Sequence, residues 1–336
     1  MTLAALLVAA ACAQPIAQVP SPAPVVPPIA ATTNGYYRQP TIHGDSIVFV
    51  AEGDLWTVNA AGGRASRLTT HPGPESHPAL SPDGQTIAFL ANYEDGGAGA
   101  RESGEVYTMP VAGGLPVRRT WGGAANARTT FVGWTPDGKV LYGTREFSSL
   151  PSVQLAQVDL ATNVATPVPL YEADQGSYTA DGKTLIFTRL PFQGSHTRRY
   201  KGGYIQQLWR FDAGAAEAVP LTTDYDGISK DAMVIGDPPR VYFASDRDNE
   251  AAVMNIWSAT LDGKDLKQHT RHTDFDVSFP SADAKSGRIV YQYGADVWLL
   301  DTATGTSTKL DVQLVSDFDQ MREQWIKKPA ASISGL

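Results

Sequence analysis

A strand pattern repeats six times along this chain, between Pro40 and Val312. One copy, His77–Trp121, contains four short apolar runs, with a Pro-Asp-Gly turn after the first and Gly113–Gly114 after the third. Asp-Gly and Gly-Gly between apolar runs are strong hairpin signals, because the turns that join antiparallel strands need positive φ angles. Four antiparallel strands in each unit, at a period of about 40–50 residues, are typical of a β-propeller.

The predicted fold class is therefore all-β, a six-bladed β-propeller of four-stranded antiparallel blades. The first unit begins with its inner strand and the last unit ends with its outer strand, so neither end holds a spare strand for a shared blade. We therefore predict a ring without strand exchange between the termini. Side-chain packing between blades one and six would close this ring, and we expect that seam to be the weakest.

The third strand of each unit carries a bulky residue at one position. A large side chain repeated once in each unit most simply packs between neighbouring blades. We therefore predict that these side chains are buried, and we place Leu155 at the equivalent position of blade three. The five aromatic residues at this position are Trp56, Tyr107, Trp209, Trp257 and Trp298.

Length and charge agree with one folded domain that does not bind nucleic acid. A length of 336 residues would ordinarily suggest two domains. A propeller is an exception, because added repeats extend one continuous core. The formal net charge of −8 argues against a nucleic-acid partner, since such binding needs concentrated Lys and Arg.

The N-terminus has the features of an export signal, which we place at residues 1–13. The segment Thr2–Ala11 is apolar and too short to span a bilayer, and small residues follow it as signal peptidase requires. Cys12 directly follows three alanines, as in a bacterial lipoprotein box. The sequence leaves two alternatives, lipid anchoring through Cys12 and ordinary cleavage after Ala13. Either one predicts a periplasmic or extracellular protein.

Two further segments flank the predicted propeller, which we place at residues 37–312. Residues 14–36 are rich in proline, which favours an extended spacer over a paired strand. Residues 313–336 begin with a polar stretch and end on the apolar alternation ASISGL. We interpret them as a connector into a downstream domain that this chain does not contain.

Motifs for chemistry are scarce in this sequence. It contains no G-x-S-x-G nucleophile elbow, no H-E-x-x-H or paired-cysteine metal spacing and no G-x-x-x-x-G-K-[ST] phosphate loop. We therefore predict no catalytic residue, no metal site and no cofactor. A Ser-His-Asp triad is defined by geometry rather than by spacing, so the sequence alone leaves that alternative open.

A few polar residues are weak candidates for a site. His269 and His272 lie three positions apart, where loop histidines are favoured over a metal pair. The segment Asp246–Asn249 resembles the start of a calcium loop but lacks the glycine and the distal glutamate, so a turn is favoured. In the inner strands, the candidates for a site at the central channel are His43, His77 and Asp83, against a structural role in turns and channel wall.

Three stretches of the repeats carry a family resemblance. They are IHGDSIVFVAEGDLW in unit one, RRYKGGYIQQLW in unit four and SATLDGKDLKQHTRHTDF in unit five. Together they resemble the N-terminal six-bladed propeller of the tricorn-type serine peptidases, which is of the same broad kind as the TolB-like propellers. The resemblance spans about Tyr37–Val312.

The resemblance implies a noncatalytic role for this chain. Members of the family continue into a second propeller, a PDZ-like module and a peptidase core that holds the catalytic serine and histidine. The expected function is to guide or filter peptides or unfolded protein segments toward such a core. The family holds the carboxylate end of its substrate with an arginine pair before the third blade, and here only Arg128 matches it.

Two other functions stay open from the sequence. One is a freestanding TolB-like protein-interaction module of the bacterial cell envelope. The other is a propeller hydrolase with its own site at the central channel. Sequence beyond Leu336 would separate the peptidase propeller from the freestanding module.

Overall fold

A computed structural model of the chain describes residues 35–93, 104–122, 129–148, 152–191, 200–247 and 252–316. These residues form six four-stranded antiparallel sheets, and the innermost strands of neighbouring sheets contact one another. The predicted six-bladed propeller is thus confirmed. The described residues contain no helix, and hence no helix that could cross a membrane.

The four strands of each blade follow chain order from the channel outward, and in blade one the short strand Gly63–Arg64 intervenes before the fourth strand. The first strands are Arg38–His43, Glu75–Leu80, Thr130–Trp134, Gln175–Tyr178, Ser229–Ile235 and Val277–Asp283. The second strands are Ser46–Ala51, Thr86–Ala91, Val140–Thr144, Thr184–Thr188, Arg240–Ser245 and Arg288–Tyr293. The third strands are Asp54–Asn59, Glu105–Pro110, Gln154–Val158, Leu208–Asp212, Asn255–Thr260 and Asp296–Asp301. The fourth strands are Ser66–Arg67, Val117–Arg118, Ala165–Pro167, Val219–Pro220, Lys267–Gln268 and Thr306–Lys309.

The antiparallel order gives the ring two different faces. The lower face carries the hairpins between first and second strands and those between third and fourth strands. The upper face carries the loops between second and third strands and the links from one blade to the next. In the lower turns Ser81 donates a hydrogen bond to Asp83 at 2.5 Å and Thr179 donates one to Asp181 at 2.6 Å. Gly182 follows with a φ of +70°, as the sequence predicted for an Asp-Gly turn.

The hydrophobic core is divided into six clusters, and each lies between two neighbouring blades. The side chains of each second strand contribute to the two clusters on either side of its blade. In blade two, Ile87 and Phe89 pack toward blade one, whereas Ala88 and Leu90 pack toward blade three. Because successive side chains of a strand point to opposite faces, one fully apolar strand contributes to two seams.

The predicted third-strand aromatics each lie directly across from an aromatic residue of the second strand. Three of them, Trp56, Tyr107 and Trp257, are buried, whereas Trp209 and Trp298 are only partly buried. The predicted burial is therefore confirmed for three of the five. The five cross-strand pairs are Phe49–Trp56, Phe89–Tyr107, Phe187–Trp209, Phe243–Trp257 and Tyr291–Trp298.

The assignment of Leu155 to this position in blade three is wrong by one residue. The aromatic residue of the second strand is Tyr142, and its cross-strand partner is Ala156. Ala156 packs with Tyr142 between blades two and three, whereas Leu155 packs toward blade four. A shift of one residue moves a side chain to the opposite face of a strand. Blade three thus has a small residue where five blades have a large ring.

Ring closure combines backbone and side-chain contacts. No terminus adds a strand to the other terminus's four-stranded sheet, so the absence of strand exchange is confirmed. Closure by side chains alone is wrong, because a short strand after blade six, Val312–Gln313, pairs in parallel with Gly63–Arg64 beside blade one. Tyr37 also donates a backbone hydrogen bond to Ala295 of blade six at 2.9 Å.

The closing seam is also the most extensively packed of the six. Among the described residues, fourteen buried side chains form the cluster between blades six and one, whereas six form the cluster between blades three and four. Two clefts of about 540 and 620 Å³ open between blades three and four, and Tyr178 lines both. The prediction that the seam between blades one and six is the weakest is therefore wrong. The seam with the least buried packing lies between blades three and four.

Native-state hydrogen exchange should report this difference. Segments with fewer buried apolar contacts open at lower free energy. We expect the amides of Gln175–Tyr178, the first strand of blade four, to exchange faster than those of Arg38–His43, the first strand of blade one. Slower exchange in blade four than in blade one would contradict this assignment of the weak seam.

Truncation of a third-strand aromatic should destabilise the ring according to its burial. Trp257 is 5% exposed, and Trp→Ala at a buried site typically costs about 3–5 kcal/mol. We expect Trp257→Ala to lower the free energy of unfolding by that amount and Trp298→Ala to lower it by less. Urea unfolding would measure both, with Glu217→Ala, at an exposed position, as the control. Equal losses for Trp257→Ala and Glu217→Ala would refute the packing described above.

Candidate functional site at the channel mouth

Four inner strands carry the same irregularity near the upper face. In each, two residues of the first strand lie opposite one residue of the second strand, which defines a β-bulge. The first residue of each bulge has a positive φ angle, between +49° and +54°. These residues, in blades one, two, five and six, are Gln39, His77, Asp231 and Phe279. We call them the bulge arc.

A positive φ angle is unfavourable for residues with side chains. Such strain costs of order 1–3 kcal/mol and clusters at binding and active sites, while bulges re-aim side chains beside such sites. Blades five, six, one and two are consecutive around the ring, so the bulge arc occupies one continuous sector of the channel mouth. The repeated bulge therefore makes this mouth the candidate functional site.

The sequence holds a signal for three of these bulges. Gln39, His77 and Phe279 are each followed by proline, at Pro40, Pro78 and Pro280. Proline lacks the backbone N–H that a ladder needs, so inside sheets it occurs at edges and bulges. Of these residues only His77 was predicted from the sequence to lie at the channel. The prolines after Gln39 and Phe279 mark those two positions in the same way, whereas Asp231 is followed by Ala232 and carries no such signal.

Three members of the bulge arc contact each other. The backbone N–H of His77 donates to Gln39 Oε1 at 2.9 Å, and Gln39 Nε2 lies 3.3 Å from His77 Nε2. The His77 ring meets Phe279 edge-on, with 5.6 Å between ring centroids. Blade one separates blades two and six, so this contact reaches across the inner strand of blade one. Through His77, these three residues form one contacting group on that side of the mouth.

The fourth member of the bulge arc has a neutralised charge. Lys230 Nζ lies 2.7 Å from Asp231 Oδ2, and both side chains are largely buried. The mouth therefore presents an amide, an imidazole, a phenyl ring and an internal ion pair. Such groups can hydrogen-bond and pack against a polypeptide, and they include no hydroxyl or thiol.

Beside the mouth, Asp246 and Arg247 have structural roles in blade five. The Arg247 guanidinium is buried and donates to Asp224 at 2.9 Å and to Ser245 at 3.2 Å. Asp246 accepts the backbone N–H of Ile228 at 2.8 Å, and burial raises the pKa of its carboxyl. The other two residues of the predicted turn, 248 and 249, lie outside the described residues.

His269 and His272 lie in separate environments. His272 stacks on Tyr293 with 3.8 Å between ring centroids and lies 3.0 Å from the Tyr291 hydroxyl. His269 Nε2 lies 2.9 Å from Ser258 Oγ. Burial lowers the pKa of both histidines. Within the described ranges, no group of three or more His, Cys, Asp or Glu side chains is placed to hold a metal ion.

The other sequence candidates do not join His77 at the mouth. His43 and Asp83 belong to lower-face hairpins, and a Cβ atom on Gly84 would lie 2.3 Å from the His43 ring. Hydrogen bonding from Ser81 lowers the pKa of Asp83, as expected for a turn carboxylate. Arg128 and Cys12 lie outside the described residues, so their roles stay predictions.

A buried carboxyl group links blades one and two near the upper face. Glu75 begins the first strand of blade two and is 2% exposed. It accepts hydrogen bonds from the Leu55 N–H at 3.2 Å and from the hydroxyls of Thr69 and Tyr93. Thr69 itself accepts the Leu55 N–H. The same bond joins the threonine after the fourth strand to the third strand in three more blades, in the pairs Val106–Thr120, Leu208–Thr222 and Ile256–Thr270.

Comparison with known proteins places this geometry in a family. Residues 34–306 match the family described as the tricorn protease N-terminal β-propeller domain. The chain is 32% identical over 285 residues to tricorn protease homolog 1 of Streptomyces coelicolor, covering 83% of this chain and 25% of that protein. It therefore belongs to the tricorn N-terminal propeller family, and it spans about a quarter of the length of the curated relatives it matches.

Solved structures agree with this assignment. The crystal structure of the tricorn protease superposes with a TM-score of 0.71 at 25% identity, over 82% of this chain and 26% of that one. TolB from Acinetobacter baumannii superposes with a TM-score of 0.59 at 18% identity, over 82% of this chain and 62% of that one. The second likeness shows a shared fold only.

Glu75 should make stability depend on pH. Burial raises its pKa above the ordinary value of 4.5, so the folded chain keeps a proton that the unfolded chain has lost. Its contribution is then fully present below the ordinary pKa and falls as pH rises from there through the raised pKa. We expect Glu75→Gln to gain stability relative to the unsubstituted chain as pH rises through this window.

Urea midpoints measured across that window would test this expectation. Glu217→Gln, at an exposed position, is the matched control and should follow the unsubstituted chain at every pH. A Glu75→Gln profile parallel to that of the unsubstituted chain would show that Glu75 ionises normally in the folded state.

Proposed function

We propose that this chain is the noncatalytic propeller of an exported tricorn-like serine peptidase, which guides or filters peptides through its channel toward a downstream peptidase core. The bulge arc carries the proposal. Four inner strands hold Gln39, His77, Asp231 and Phe279 at the mouth with unfavourable positive φ angles. The family to which the chain belongs is that of the tricorn protease N-terminal propeller. Groups of this kind suit contact with a passing polypeptide rather than bond cleavage.

The environment of the Ser258–His269 pair supports a noncatalytic role. Ser258 and His269 do lie within hydrogen-bond distance, but Ser258 is fully buried within blade five. A catalytic histidine needs an acid behind it to stabilise its charged form. Here the charges that act on His269 are those of Arg240, Lys267 and Arg271, and together with burial they lower its pKa.

Export is the part of this proposal that rests on sequence alone. The apolar segment within residues 1–13 supports a periplasmic or extracellular location. Lipid anchoring through Cys12 and cleavage after Ala13 are the two alternatives for the mature end. A freestanding TolB-like interaction module of the cell envelope is the alternative function, and domains encoded beyond Leu336 would argue against it.

The test separates hydrolysis from guidance. We expect the purified segment from Gln14 to Leu336 to hydrolyse no fluorogenic peptide. In the complete gene product, Phe279→Ala should lower kcat/KM for long polypeptides about tenfold. This is the equivalent of one lost apolar contact of about 1.4 kcal/mol. Tetrapeptide turnover should stay unchanged, because we expect a short peptide to make little contact with the channel mouth.

Leu266→Ala is the matched control, since Leu266 is an exposed apolar residue of a lower hairpin. It should affect neither substrate. If the segment itself hydrolysed a peptide, and substitution of a single Ser abolished that activity, the noncatalytic role would be wrong. Equal effects of Phe279→Ala on long and short substrates would overturn guidance through the channel.

A further inference from the structure

The first strand of blade four, Gln175–Tyr178, differs from the first strands of the other five blades. Its pairing with the second strand is regular along its whole length, whereas each of the other five contains a register shift. All four of its residues are partly accessible to solvent and none is buried. A regular, accessible strand edge is a template for pairing with another strand, and bulges are one of the devices that prevent such pairing.

Two residues of this strand direct their backbone groups into the channel. Thr179, just below the strand, donates its backbone N–H to the Thr184 carbonyl of the second strand at 2.8 Å. Backbone groups of successive strand residues point alternately to either side, so those of Ser177 also point to the second strand. The N–H and C=O groups of Gly176 and Tyr178 then point the opposite way, toward the channel. Within the described residues, no side chain accepts either of these N–H groups.

In two other blades, a neighbouring side chain already binds the corresponding N–H group. Leu80 of blade two precedes the hydroxyl residue of its Asp-Gly turn, as Tyr178 does in blade four, and its N–H donates to Thr41 Oγ1 of blade one at 3.4 Å. The N–H of Val234 in blade five donates to Ser177 Oγ of blade four at 3.3 Å. Each acceptor is a hydroxyl on the first strand of the preceding blade. These two N–H groups are therefore not available to a further strand.

Blade three offers no such hydroxyl to blade four. Ser177 lies two residues before the turn residue Thr179, and the residue two before the equivalent Thr135 of blade three is Gly133. Glycine has no side chain to accept a hydrogen bond. Apart from its chain neighbours, no heavy atom lies within 4 Å of the place where a Cβ atom on Gly133 would be. The two clefts described above open along this same seam, and Tyr178 lines both, so space remains beside the free edge.

We propose that an extended polypeptide in the channel adds to blade four as a fifth, innermost strand. In antiparallel orientation, such a strand exchanges two hydrogen bonds with Gly176 and two with Tyr178. In strand addition the main chain supplies the affinity, so the edge accepts many sequences and requires free backbone N–H groups at alternate residues. The inference rests on the proposed function. It adds the way in which a polypeptide is held, and it names the ligand class as unfolded segments free of closely spaced prolines.

Peptide binding to the 336-residue chain tests the main-chain contact. The probe is a fluorescein-labelled peptide of about twelve residues with alternating Thr and Ser, followed by fluorescence anisotropy. The comparison peptide has the same sequence with N-methyl groups on its central residues, which removes the donors from both of its edges. We expect the methylated peptide to bind about tenfold more weakly or worse, because it loses several hydrogen bonds. Equal binding of the two peptides, or no binding of the first, would overturn the inference.

Tyr178→Pro and Tyr178→Ala form a matched pair of variants. Both remove the tyrosine ring, and only proline also removes the backbone N–H that faces the channel. Since this N–H makes no bond to the second strand, proline is compatible with the edge. We expect Tyr178→Pro to bind the unmethylated peptide about tenfold more weakly than Tyr178→Ala does. Equal affinities of the two variants would show that the N–H is not used, and strand addition would be wrong.

Hydrogen exchange makes the test independent of whether Tyr178→Pro folds. In the unsubstituted chain, saturating unmethylated peptide should slow exchange of the Gly176 and Tyr178 amides about tenfold or more, because each gains a hydrogen bond. The amide of Leu80, which already donates to Thr41, is the matched control and should not change. Slower exchange at Leu80 without any change in blade four would contradict the proposal. Protection of blade four without peptide, growing with chain concentration, would assign the edge to a second copy and would also contradict it.

These outcomes are distinct from those that decide the proposed function. If the peptide binds and slows no amide of blade four, strand addition is wrong, while the substrate-length test on Phe279 still decides guidance through the channel. If the Gly176 and Tyr178 amides are protected and the substrate-length test fails, guidance is wrong and strand addition stands.

Discussion

The second strands, buried on both faces, are the constraint on which the ring depends. The second strands of blades three and four, Val140–Thr144 and Thr184–Thr188, are buried at every position. A single blade cannot cover both faces of such a strand, so each blade needs a neighbour on either side. Closing the ring meets this need for blades one and six, whose shared cluster has the most buried residues of the described seams.

The same packing explains the shape of the channel mouth. In blades one, two, five and six the residue that each bulge skips is the second-strand aromatic that faces the third-strand ring: Phe49, Phe89, Phe243 and Tyr291. In blade four the equivalent Phe187 lies opposite Gly176, and the pairing is regular. Glycine leaves space beside the ring, whereas blades one, two, five and six bulge and re-aim a side chain; blade three has a different register shift, between Phe131 and Gly133. The rings that stabilise the seams thus adjoin the bulges that build the mouth.

The polar groups near the upper face differ in whether they are committed to the fold. The buried polar residues of the upper region, such as Glu75 and Arg247, are committed to holding strands and loops. The groups at the mouth are the Gln39 amide, the His77 imidazole, the Phe279 ring and the Lys230–Asp231 ion pair. The chain belongs to the tricorn N-terminal propeller family, and it spans about a quarter of the length of the curated relatives it matches.

Local sequence signals determined the number of blades, the turns and the alternation of buried residues, because hairpin turns and strand periodicity depend on neighbouring residues. The family resemblance of units one, four and five was equally visible in the sequence. The tertiary structure alone showed that Ala156 lies across from Tyr142 in blade three. It alone also showed the parallel pairing of Val312–Gln313 with Gly63–Arg64, and the meeting of Gln39, His77 and Phe279 at the mouth. Register and contacts between distant blades depend on how whole sheets pack around the ring, and no short stretch of sequence encodes that packing.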